Sequence, residues 1–269
     1  MKMNLPQALA ETRVSEFRYF DSISSTNDEA LRWIADGAPD LALVIAEEQT
    51  QGRGRFDRRW VTRPETSLAF SLILTSTFTE AHNIPLYAPL GGIAVQEAVK
   101  NMSGLDARIK WPNDVLLNGR KFCGILVEAA WQGTDLHGVA MGIGINVNKG
   151  SLPDPELQNF PATHLESACG FQVDRFELLK NVINAIDRWR PELGTASFMH
   201  RWEENLAFRG DWVRIEHSEK SSIIGKEVGI DPSGRLILMN DNGQKTLIEI
   251  GDVHLRPGSG TEPGGSHVG

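Results

Sequence analysis

The chain has 269 residues, 41% apolar and 23% charged, as in an ordinary globular protein with room for one large and one small domain. Its net charge of −8 argues against broad binding to nucleic acid or anionic membranes, and no apolar run suits a signal peptide or a membrane span. The two cysteines form neither a disulfide framework nor a zinc-binding spacing. We therefore expect a cytoplasmic protein with no structural metal, no membrane partner and no nucleic-acid partner.

The N-terminal part of the chain predicts a strand near Phe17–Phe20 and then a helix that follows a Ser-Thr-Asn run. Thr26 and Glu29 have the spacing of a capping box, and Gly37 can end this helix after Ala35. A Ser-Thr-Asn run ahead of a helix is usually only a cap. A helix N-terminus can also hold a small polar ligand, so both interpretations stay open here.

An arginine-rich segment, residues 52–60, follows the apolar run Leu41–Ala46, which predicts a buried strand. We call this segment the arginine loop; it contains two glycines and four arginines. Glycine lets the backbone approach a ligand closely, and arginine donates charge-assisted hydrogen bonds to phosphate or carboxylate. The loop indicates an anion site. A solvated basic loop and a site for an RNA or DNA backbone are the alternatives that this stretch alone leaves open.

The middle of the chain predicts strands joined by tight turns, together with one long helix. Gly91 and Gly92 within that helix favour close packing against a sheet. Pro112 interrupts a short strand, so Asn113 and Asp114 are predicted to be exposed at a turn. The predicted elements are strand Ser67–Leu74, helix Ile84–Met102, a short strand from Arg108, hairpin turn Asn118-Gly119, strand Lys121–Glu128, turn Trp131–Asp135 and strand His137–Asn148.

The C-terminal half is predicted to be mostly helical over Asp174–Trp202, with a break at Pro191. From Asp211 onward, short apolar runs separated by turns predict a small β-barrel, and the tail after Pro257 is predicted to be disordered. Strands pair with their sequence neighbours while helices come in separate blocks. The fold class is therefore α+β, with a mixed, largely antiparallel central sheet.

Several nucleotide-binding and nucleophile motifs are absent from the sequence. It contains no Walker-type P-loop and no Gly-x-Ser-x-Gly elbow. Gly142-Ile-Gly144 lacks the third glycine and the helix of a dinucleotide fingerprint, and its glycines are expected to allow close backbone approach within a sheet. Cys123 lies among apolar residues and is expected to be a small buried side chain.

Cations and polar side chains at predicted strand ends remain as candidates for chemistry. Taken singly, each is more often a solvated surface group; together on one sheet edge they suit phosphoryl chemistry, in which a protein positions reactants and neutralises charge. Asp114 beside its turn is a candidate ligand for a magnesium ion that bridges phosphates. The set is Arg53, Arg55, Arg58, Lys110, Asn113, Asp114, Lys121 and Asn146.

Four motifs occur in a characteristic order: Gly52-Arg-Gly-Arg-x-x-Arg-x-Trp60, Lys110-Trp-Pro-Asn-Asp114, Arg120-Lys-Phe-Cys-Gly-Ile-Leu-Val-Glu128 and Gly142-Ile-Gly-Ile-Asn-Val-Asn148. In this combination the chain closely resembles the biotin–protein ligases, over roughly residues 21–148. The resemblance implies a class II synthetase-like catalytic domain at residues 1–207, an SH3-like barrel at 208–257 and a disordered tail at 258–269. It also implies that biotin and Mg-ATP form biotinoyl-5′-AMP, whose biotin passes to a lysine of a biotin carboxyl carrier protein.

The same resemblance assigns roles to individual residues. Lys121, Arg55 and Lys110 are implied to be catalytic, and Asp114 is implied to be a magnesium ligand through Mg-ATP. The nucleotide-binding residues are implied to be Arg58, Trp60, Lys110, Asn113, Asp114 and Asn146. The biotin-binding residues are implied to be Ser25, Thr26, Asn27, Gln49, Gly52, Arg53, Gly54, Arg55, Lys121, Gly124 and Leu126.

Two departures from the family pattern stand out. Asp57 replaces a usual glycine, and we hypothesise that it pairs with Arg58 or Arg55 and weakens the hold of the loop on the adenylate. The segment ahead of the Ser-Thr-Asn run is too short for the DNA-binding domain of some members, so we expect a monofunctional ligase. Edge strands of the central sheet offer a route to a homodimer.

Three other functions compete with this interpretation. A lipoate or octanoate ligase shares the fold and the acyl-adenylate logic but lacks the arginine motif. A non-catalytic biotin-binding regulator has no need of Lys110 and Lys121. An RNA-binding module predicts more aromatic residues in a basic field than Phe56 and Trp60 provide.

Overall fold

The computed structural model describes residues 3–56, 58–75, 83–154, 160–218, 221–249 and 251–255. Its strands are β1 (Phe17–Ile23), β2 (Leu43–Gln49), β3 (Ser67–Leu74), β4 (Arg108–Lys110), β5 (Asp114–Leu117), β6 (Arg120–Gln132), β7 (Asp135–Asn146), β8 (Trp212–Ser218), β9 (Ser221–Ile230), β10 (Leu236–Met239), β11 (Lys245–Ile248) and β12 (Asp252–Leu255). Its α-helices are α1 (Leu5–Ala10), α2 (Thr26–Ala35), α3 (Tyr87–Ser103), α4 (Leu165–Cys169), α5 (Arg175–Trp189) and α6 (Ala196–Glu204).

The central sheet has seven strands in the order β1-β2-β3-β7-β6-β5-β4. Among the described strands of this sheet, only β1 and β2 pair parallel, and α2 provides the crossover that a parallel pair requires. The other neighbouring strands of this sheet pair antiparallel. The predicted fold class, α+β with a mixed and largely antiparallel sheet, is therefore confirmed.

Apolar side chains cover both faces of this sheet, because successive residues of a strand point to opposite sides. Phe70 of β3 packs in the cluster that contains α3 and α5, whereas Ile73 packs in the cluster around α2. Burying a side chain of this size contributes about 1.5–3 kcal/mol. A Cβ on Gly91 would lie 3.1 Å from Ile125 Cγ1, which confirms the predicted close packing of the long helix.

The N-terminal cap of α2 differs from the prediction. Ser25, not Thr26, is the N-cap, and its side chain accepts a hydrogen bond from the backbone N–H of Asp28 at 3.4 Å. Thr26 is already helical, and the carboxylate of Glu29 pairs with Arg18 instead of reaching back to the cap. The hydroxyl of Thr26 is consequently available for other contacts.

Two helices differ in extent from the sequence prediction. The sequence prediction did not include helix α1, which is capped by Asn4 and anchored in the core by Leu5 and Leu9. Helix α3 begins at Tyr87, after a 3-10 turn at residues 83–86, rather than at Ile84. Within the described part of the chain, no helix is both long enough and apolar enough to cross a membrane.

A second sheet follows α6 and has five strands in the order β11-β10-β9-β8-β12, all paired antiparallel. This arrangement agrees with the predicted SH3-like barrel. The indole Nε1 of Trp111 donates to the carbonyl oxygen of Gly234 at 2.9 Å, which ties this sheet to the first one. The domain boundary between residues 207 and 208 stays a prediction, and the predicted disordered tail lies outside the described residues.

Glu227 is a buried acid in this second sheet. Its side chain is 1% exposed, and its Oε1 has no hydrogen-bond partner among the described residues. Burial, reinforced by Asp211, raises the pKa of Glu227 to about 8. The native protein therefore keeps this carboxyl group protonated at pH values where the unfolded chain ionises it.

The wild type is expected to lose stability as the pH rises, and replacing Glu227 by glutamine is expected to abolish this loss. Between the ordinary value of 4.5 and about 8, the unfolded chain binds fewer protons at this position than the native protein does. The free energy of unfolding of the wild type should fall across that window, relative to Glu227→Gln, by up to about 1.4 kcal/mol per pH unit. Denaturant unfolding of both proteins from pH 5 to 9 measures the difference, and parallel curves would contradict the prediction.

Candidate active site

A cleft of about 370 Å³ lies where the N-terminus of α2, the end of β2, the arginine loop and strands β5 to β7 meet. It brings together residues that are far apart in the sequence. Every residue with a role implied by the resemblance lines this cleft, except Gly52. Those lining residues are Ser25, Thr26, Asn27, Gln49, Arg53, Gly54, Arg55, Arg58, Trp60, Lys110, Asn113, Asp114, Lys121, Gly124, Leu126 and Asn146.

The arginine loop folds back on itself as a tight hairpin. The N–H of Gly54 donates to the carbonyl oxygen of Arg58 at 2.7 Å, and the N–H of Trp60 donates to that of Gly52 at 2.9 Å. A Cβ on Gly52 would collide with the carbonyl oxygen of Trp60, so glycine is required here. Gly52 therefore closes the loop and does not line the cleft, and its implied role in biotin binding stays a prediction. Asp57, with its hypothesised ion pair, lies outside the described residues.

Asp114 lies between two lysines. Its Oδ1 is 2.5 Å from Lys121 Nζ, and its Oδ2 is 3.2 Å from Lys110 Nζ. Asp114 is 6% exposed, so the prediction that it is exposed at a turn is wrong: it begins β5, and the two lysines compensate its charge. Burial acts to raise its pKa, but the ammonium groups outweigh burial and hold the pKa of Asp114 below its usual value.

Lys110 is the most deeply buried cation of this group, at 4% exposure. Burial lowers the pKa of its ammonium group, although the neighbouring Asp114 acts in the opposite direction. The ring of Phe160 lies 4.9 Å from Lys110 Nζ, within the range of a cation–π contact. Phe160 is a lining residue that nothing in the sequence singled out.

A role for Asp114 as a magnesium ligand fits this geometry poorly. Both of its oxygens already face ammonium groups. Among the described residues, no group of three or more His, Cys, Asp or Glu side chains could hold a metal ion. Magnesium that enters with a nucleotide usually takes one or two carboxylates and relies on phosphate oxygens. The residues present do not fit a metal held by the protein alone, and lysine and arginine supply the positive charge of the cleft.

A cluster of uncharged oxygen atoms surrounds three residues that line the cleft, Thr26, Asn27 and Gln49, and forms its polar end. The N–H and the hydroxyl of Thr26 lie 2.9 and 3.0 Å from Oε1 of Gln49. Ser71 Oγ lies 2.6 Å from Asn27 Oδ1 and 2.8 Å from Thr26 Oγ1. Three of these contacts join two oxygen atoms: Thr26 to Gln49, Thr26 to Ser71 and Ser71 to Asn27. Only the hydroxyl groups of Ser71 and Thr26 supply protons to them, one each, so three contacts share two protons. This polar end is therefore rich in acceptors and favours a ligand that brings N–H donors.

Ser71 and Glu128 are candidates that the sequence reasoning missed. Ser71 is fully buried in β3, where the only signal is a hydroxyl group within a mostly apolar strand. Glu128 Oε2 accepts a hydrogen bond from Asn27 Nδ2 at 2.7 Å. In the sequence, Glu128 is indistinguishable from a solvated glutamate on a strand.

The glycines of β6 and β7 make room for side chains. Gly124 and Gly144 lie opposite each other in the two strands, and a Cβ on Gly144 would overlap the indole of Trp60. A Cβ on Gly142 would collide with Oδ1 of Asn27. The expectation that Gly142 and Gly144 serve close backbone approach is therefore corrected: they let two side chains lie directly on the sheet.

Replacing Gly142 by alanine is expected to weaken the binding of biotin, the ligand that the resemblance implies, by about 10-fold or more, because Asn27 must move and lose buried hydrogen bonds. Titration calorimetry with biotin measures this. Gly92→Ala is a matched control, since the added Cβ meets a side-chain carbon of Ile109 at an ordinary 3.4 Å. Equal affinities for the two variants would contradict the prediction.

Arg53 and Arg55 of the arginine loop face different partners. Arg55 is half-buried, with Nη1 3.4 Å from Asn113 Oδ1, and burial lowers the pKa of its guanidinium while Asp114 acts in the opposite direction. Arg53 donates from Nη1 and Nη2 to the two carboxylate oxygens of Asp28, at 2.9 and 2.6 Å. Arg55 is therefore held near the buried cluster, whereas carboxylates of the protein engage Arg53.

Known proteins resemble this chain over most of its length. Residues 19–146 match the biotin/lipoate A/B protein ligase family. The chain is 36% identical over 231 residues to the biotin–[acetyl-CoA-carboxylase] ligase of Paracoccus denitrificans, with 83% of this chain and 94% of that protein covered. It is 33% identical over 240 residues to the bifunctional ligase/repressor BirA of Bacillus spizizenii, with 88% and 73% covered.

A solved structure gives the same result. The biotin protein ligase from Aquifex aeolicus in complex with biotin and ATP superposes with a TM-score of 0.76 at 27% identity, covering 91% of this chain and 100% of that one. The similarity extends through both sheets rather than being confined to the cleft. By sequence and by fold, this chain belongs to the biotin/lipoate A/B protein ligase family.

Proposed function

We propose that this protein is an ATP-dependent biotin–protein ligase. The observation that carries the proposal is a single cleft with an acceptor-rich polar end around Thr26 and a cationic end around Lys121. These two ends suit the ureido ring and the carboxylate of biotin. The relative from Paracoccus, named as a biotin ligase, and the Aquifex enzyme described with biotin and ATP support this assignment.

In the first half-reaction, a carboxylate oxygen of biotin attacks the α-phosphorus of ATP. The new O–P bond forms as the bond to the pyrophosphate oxygen breaks, which yields biotinoyl-5′-AMP and pyrophosphate. Lys121 would lie against the carboxylate and the α-phosphate, where its charge offsets the negative charge of the transition state. Asp114 fixes the ammonium group of Lys121, and Lys110 and Arg55 strengthen the same positive field.

In the second half-reaction, the neutral amine of a carrier lysine attacks the acyl carbon. The C–N bond forms, AMP leaves with the electrons of the C–O bond, and the amine loses a proton. Before transfer, the mixed anhydride must be kept from water, and Trp60 together with the arginine loop would cover it. The nucleotide would contact Arg58, Trp60, Lys110, Asn113 and Asn146.

The polar end also favours biotin over lipoate or octanoate. The ureido ring of biotin brings two N–H donors to a cluster in which three oxygen–oxygen contacts share two protons. The dithiolane ring of lipoate and the alkyl chain of octanoate bring no N–H donor. Either would leave buried acceptors unpaired, and sites built for hydrogen bonding reject such ligands strongly.

The further partners and the location of the protein follow from this function. The acceptor would be a biotin carboxyl carrier protein with an exposed lysine, and the compartment would be the cytoplasm, where ATP and the carboxylases occur. A homodimer through the free edge of β1 remains part of the proposal, and light scattering would test it. The net charge of −8 argues against a nucleic-acid partner.

The proposal is tested by ATP–pyrophosphate exchange with biotin, lipoate or octanoate and without acceptor. We expect exchange with biotin alone. Exchange with lipoate or octanoate instead would assign the protein to the other branch of the family. Biotin binding without any exchange would favour a non-catalytic regulator.

A further inference from the structure

Glu128 has no role in the proposed reaction, yet it contacts two residues that line the cleft. Its Oε2 accepts a hydrogen bond from Asn27 Nδ2 at 2.7 Å, and Nη2 of Arg53 lies 3.3 Å from both of its carboxylate oxygens. Asn27 belongs to the polar end of the cleft, whereas Arg53 belongs to the arginine loop. One carboxylate on β6 therefore joins a binding residue to the loop that would cover the ligand.

The contact with Glu128 determines how the amide of Asn27 is oriented. Its second Nδ2 proton is donated to the carbonyl oxygen of Leu126 at 3.1 Å, and its Oδ1 accepts the hydroxyl proton of Ser71 at 2.6 Å. Asn27 is buried, so every one of these partners counts. Without the carboxylate of Glu128, one buried amide proton loses its acceptor and the amide is free to rotate. The Oδ1 atom of Asn27, which lies in the polar end of the cleft, would then move.

A second carboxylate strengthens the hold on the arginine loop. The carboxylate of Asp28 accepts hydrogen bonds from both Nη groups of Arg53, at 2.9 and 2.6 Å. Glu128 adds a longer contact, at 3.3 Å. This pairing raises the pKa of Arg53 and lowers that of Asp28, so both groups stay charged at neutral pH. A guanidinium held by two protein carboxylates has few donors left for a substrate carboxylate. Its contacts instead tie the loop to α2 and β6.

We propose, on the basis of the proposed function, that Glu128 is a positioning residue that orients Asn27 for biotin and, together with Asp28, anchors Arg53 so that the arginine loop retains the adenylate. Glu128 acts on biotin through Asn27 and on the adenylate through Arg53. Asp28 acts through Arg53 alone. The two effects of Glu128 are therefore separable.

The test uses the full chain and two readouts: the Kd for biotin without ATP, and the dissociation rate of preformed biotinoyl-5′-AMP. Glu128→Ala should raise the Kd and speed dissociation, each by about 10- to 100-fold, which is the scale of losing a hydrogen bond to a charged group. Glu128→Gln should restore the Kd, because its amide oxygen still accepts from Asn27. Dissociation should stay fast, because its NH₂ group then faces the guanidinium of Arg53.

Two further variants separate the routes. Asp28→Asn should speed adenylate dissociation and leave the Kd for biotin unchanged. In an Arg53→Gln background, neither Asp28→Asn nor Glu128→Gln should speed dissociation any further, because both act through the missing guanidinium. Glu48→Gln, which neutralises an acid on β2 whose described hydrogen bond is to Ser22, should change neither quantity.

The outcomes distinguish this inference from the proposed function. If the wild type binds biotin and forms adenylate, but Glu128→Ala leaves both the Kd and the dissociation rate unchanged, the inference is overturned and the function stands. A wild type that binds no biotin overturns both. Thermal melting of each variant identifies a general loss of folding, and Asp28→Asn, at a half-exposed ion pair, still tests the anchoring of the loop if Glu128→Ala unfolds.

Discussion

Replacing Lys121 by alanine is expected to slow biotin-dependent ATP–pyrophosphate exchange by about 100- to 1,000-fold, the usual cost of removing one preorganised charge from a transition state. The ammonium group of Lys121 lies 2.5 Å from Asp114 and 5.4 Å from the ring centre of Trp60, so both a buried carboxylate and an aromatic face hold it in place. The polar end around Thr26 does not contain this residue. The Kd for biotin should therefore rise, because Lys121 faces the biotin carboxylate, but by a smaller factor than exchange slows, because the polar end keeps its contacts with the ureido ring.

Lys100→Ala is a suitable control for this experiment. Lys100 is also ion-paired, with Asp106 at 2.6 Å, but it lies at the end of α3 and does not line the cleft. It should leave exchange unchanged. Wild-type exchange by Lys121→Ala would contradict the prediction and indicate that Lys110 or Arg55 supplies the catalytic charge. The alanine variants of those two residues would then be measured.

Replacing Asp114 by asparagine is expected to lower the free energy of unfolding by about 3–5 kcal/mol at pH 7, as does the removal of one partner from other buried ion pairs. Lys110, only 4% exposed, would be left with a neutral amide beside its charge. Lys121 is more exposed and can turn toward water. Exchange activity should fall as well, because the carboxylate no longer holds Lys121 in place. Denaturant unfolding measures the loss of stability.

The pH dependence of this loss follows from the lowered native pKa of Asp114. A carboxylate with a lowered native pKa contributes stability that is complete above the unfolded value, near 3.9, and is lost as the pH falls through the native value. The difference between wild type and Asp114→Asn should therefore be constant from pH 6 to 8 and shrink only in acid.

A second substitution separates stability from activity at this position. Asp114→Asn combined with Lys110→Met removes both members of the buried pair, so it should regain most of the lost stability without regaining exchange. If the double variant is no more stable than Asp114→Asn, then an unpaired Lys110 is not the cause of the loss.

Much of the fold could be predicted because its signals are local. The apolar run of β3, the turn at Asn118-Gly119 and the short apolar runs of the second sheet each lie within a few residues. The arginine loop could also be recognised locally, since glycine and arginine are concentrated there. The lining residues of the cleft were implied by motifs that lie in a fixed order along the chain, and all but Gly52 line it.

The errors arose where a property depends on neighbours that are distant in the sequence. Asp114 follows a proline and looks exposed, but its burial depends on Lys121, which β6 brings alongside β5. Gly142 looks like a residue for backbone contact until Asn27 of α2 is placed on top of it.

Composition, hydrophobic period and motif order were thus sufficient for the fold class, the cationic loop and many of the residues that line the cleft, because these features depend on residue type and local spacing. Only the tertiary structure decided that Asp114 is buried and neutralised, that Ser71 and Glu128 hydrogen-bond to Asn27, and that Gly144 makes room for Trp60. The physical reason is that burial, charge pairing and the sharing of protons are properties of groups brought together by folding. No local stretch of sequence contains these properties.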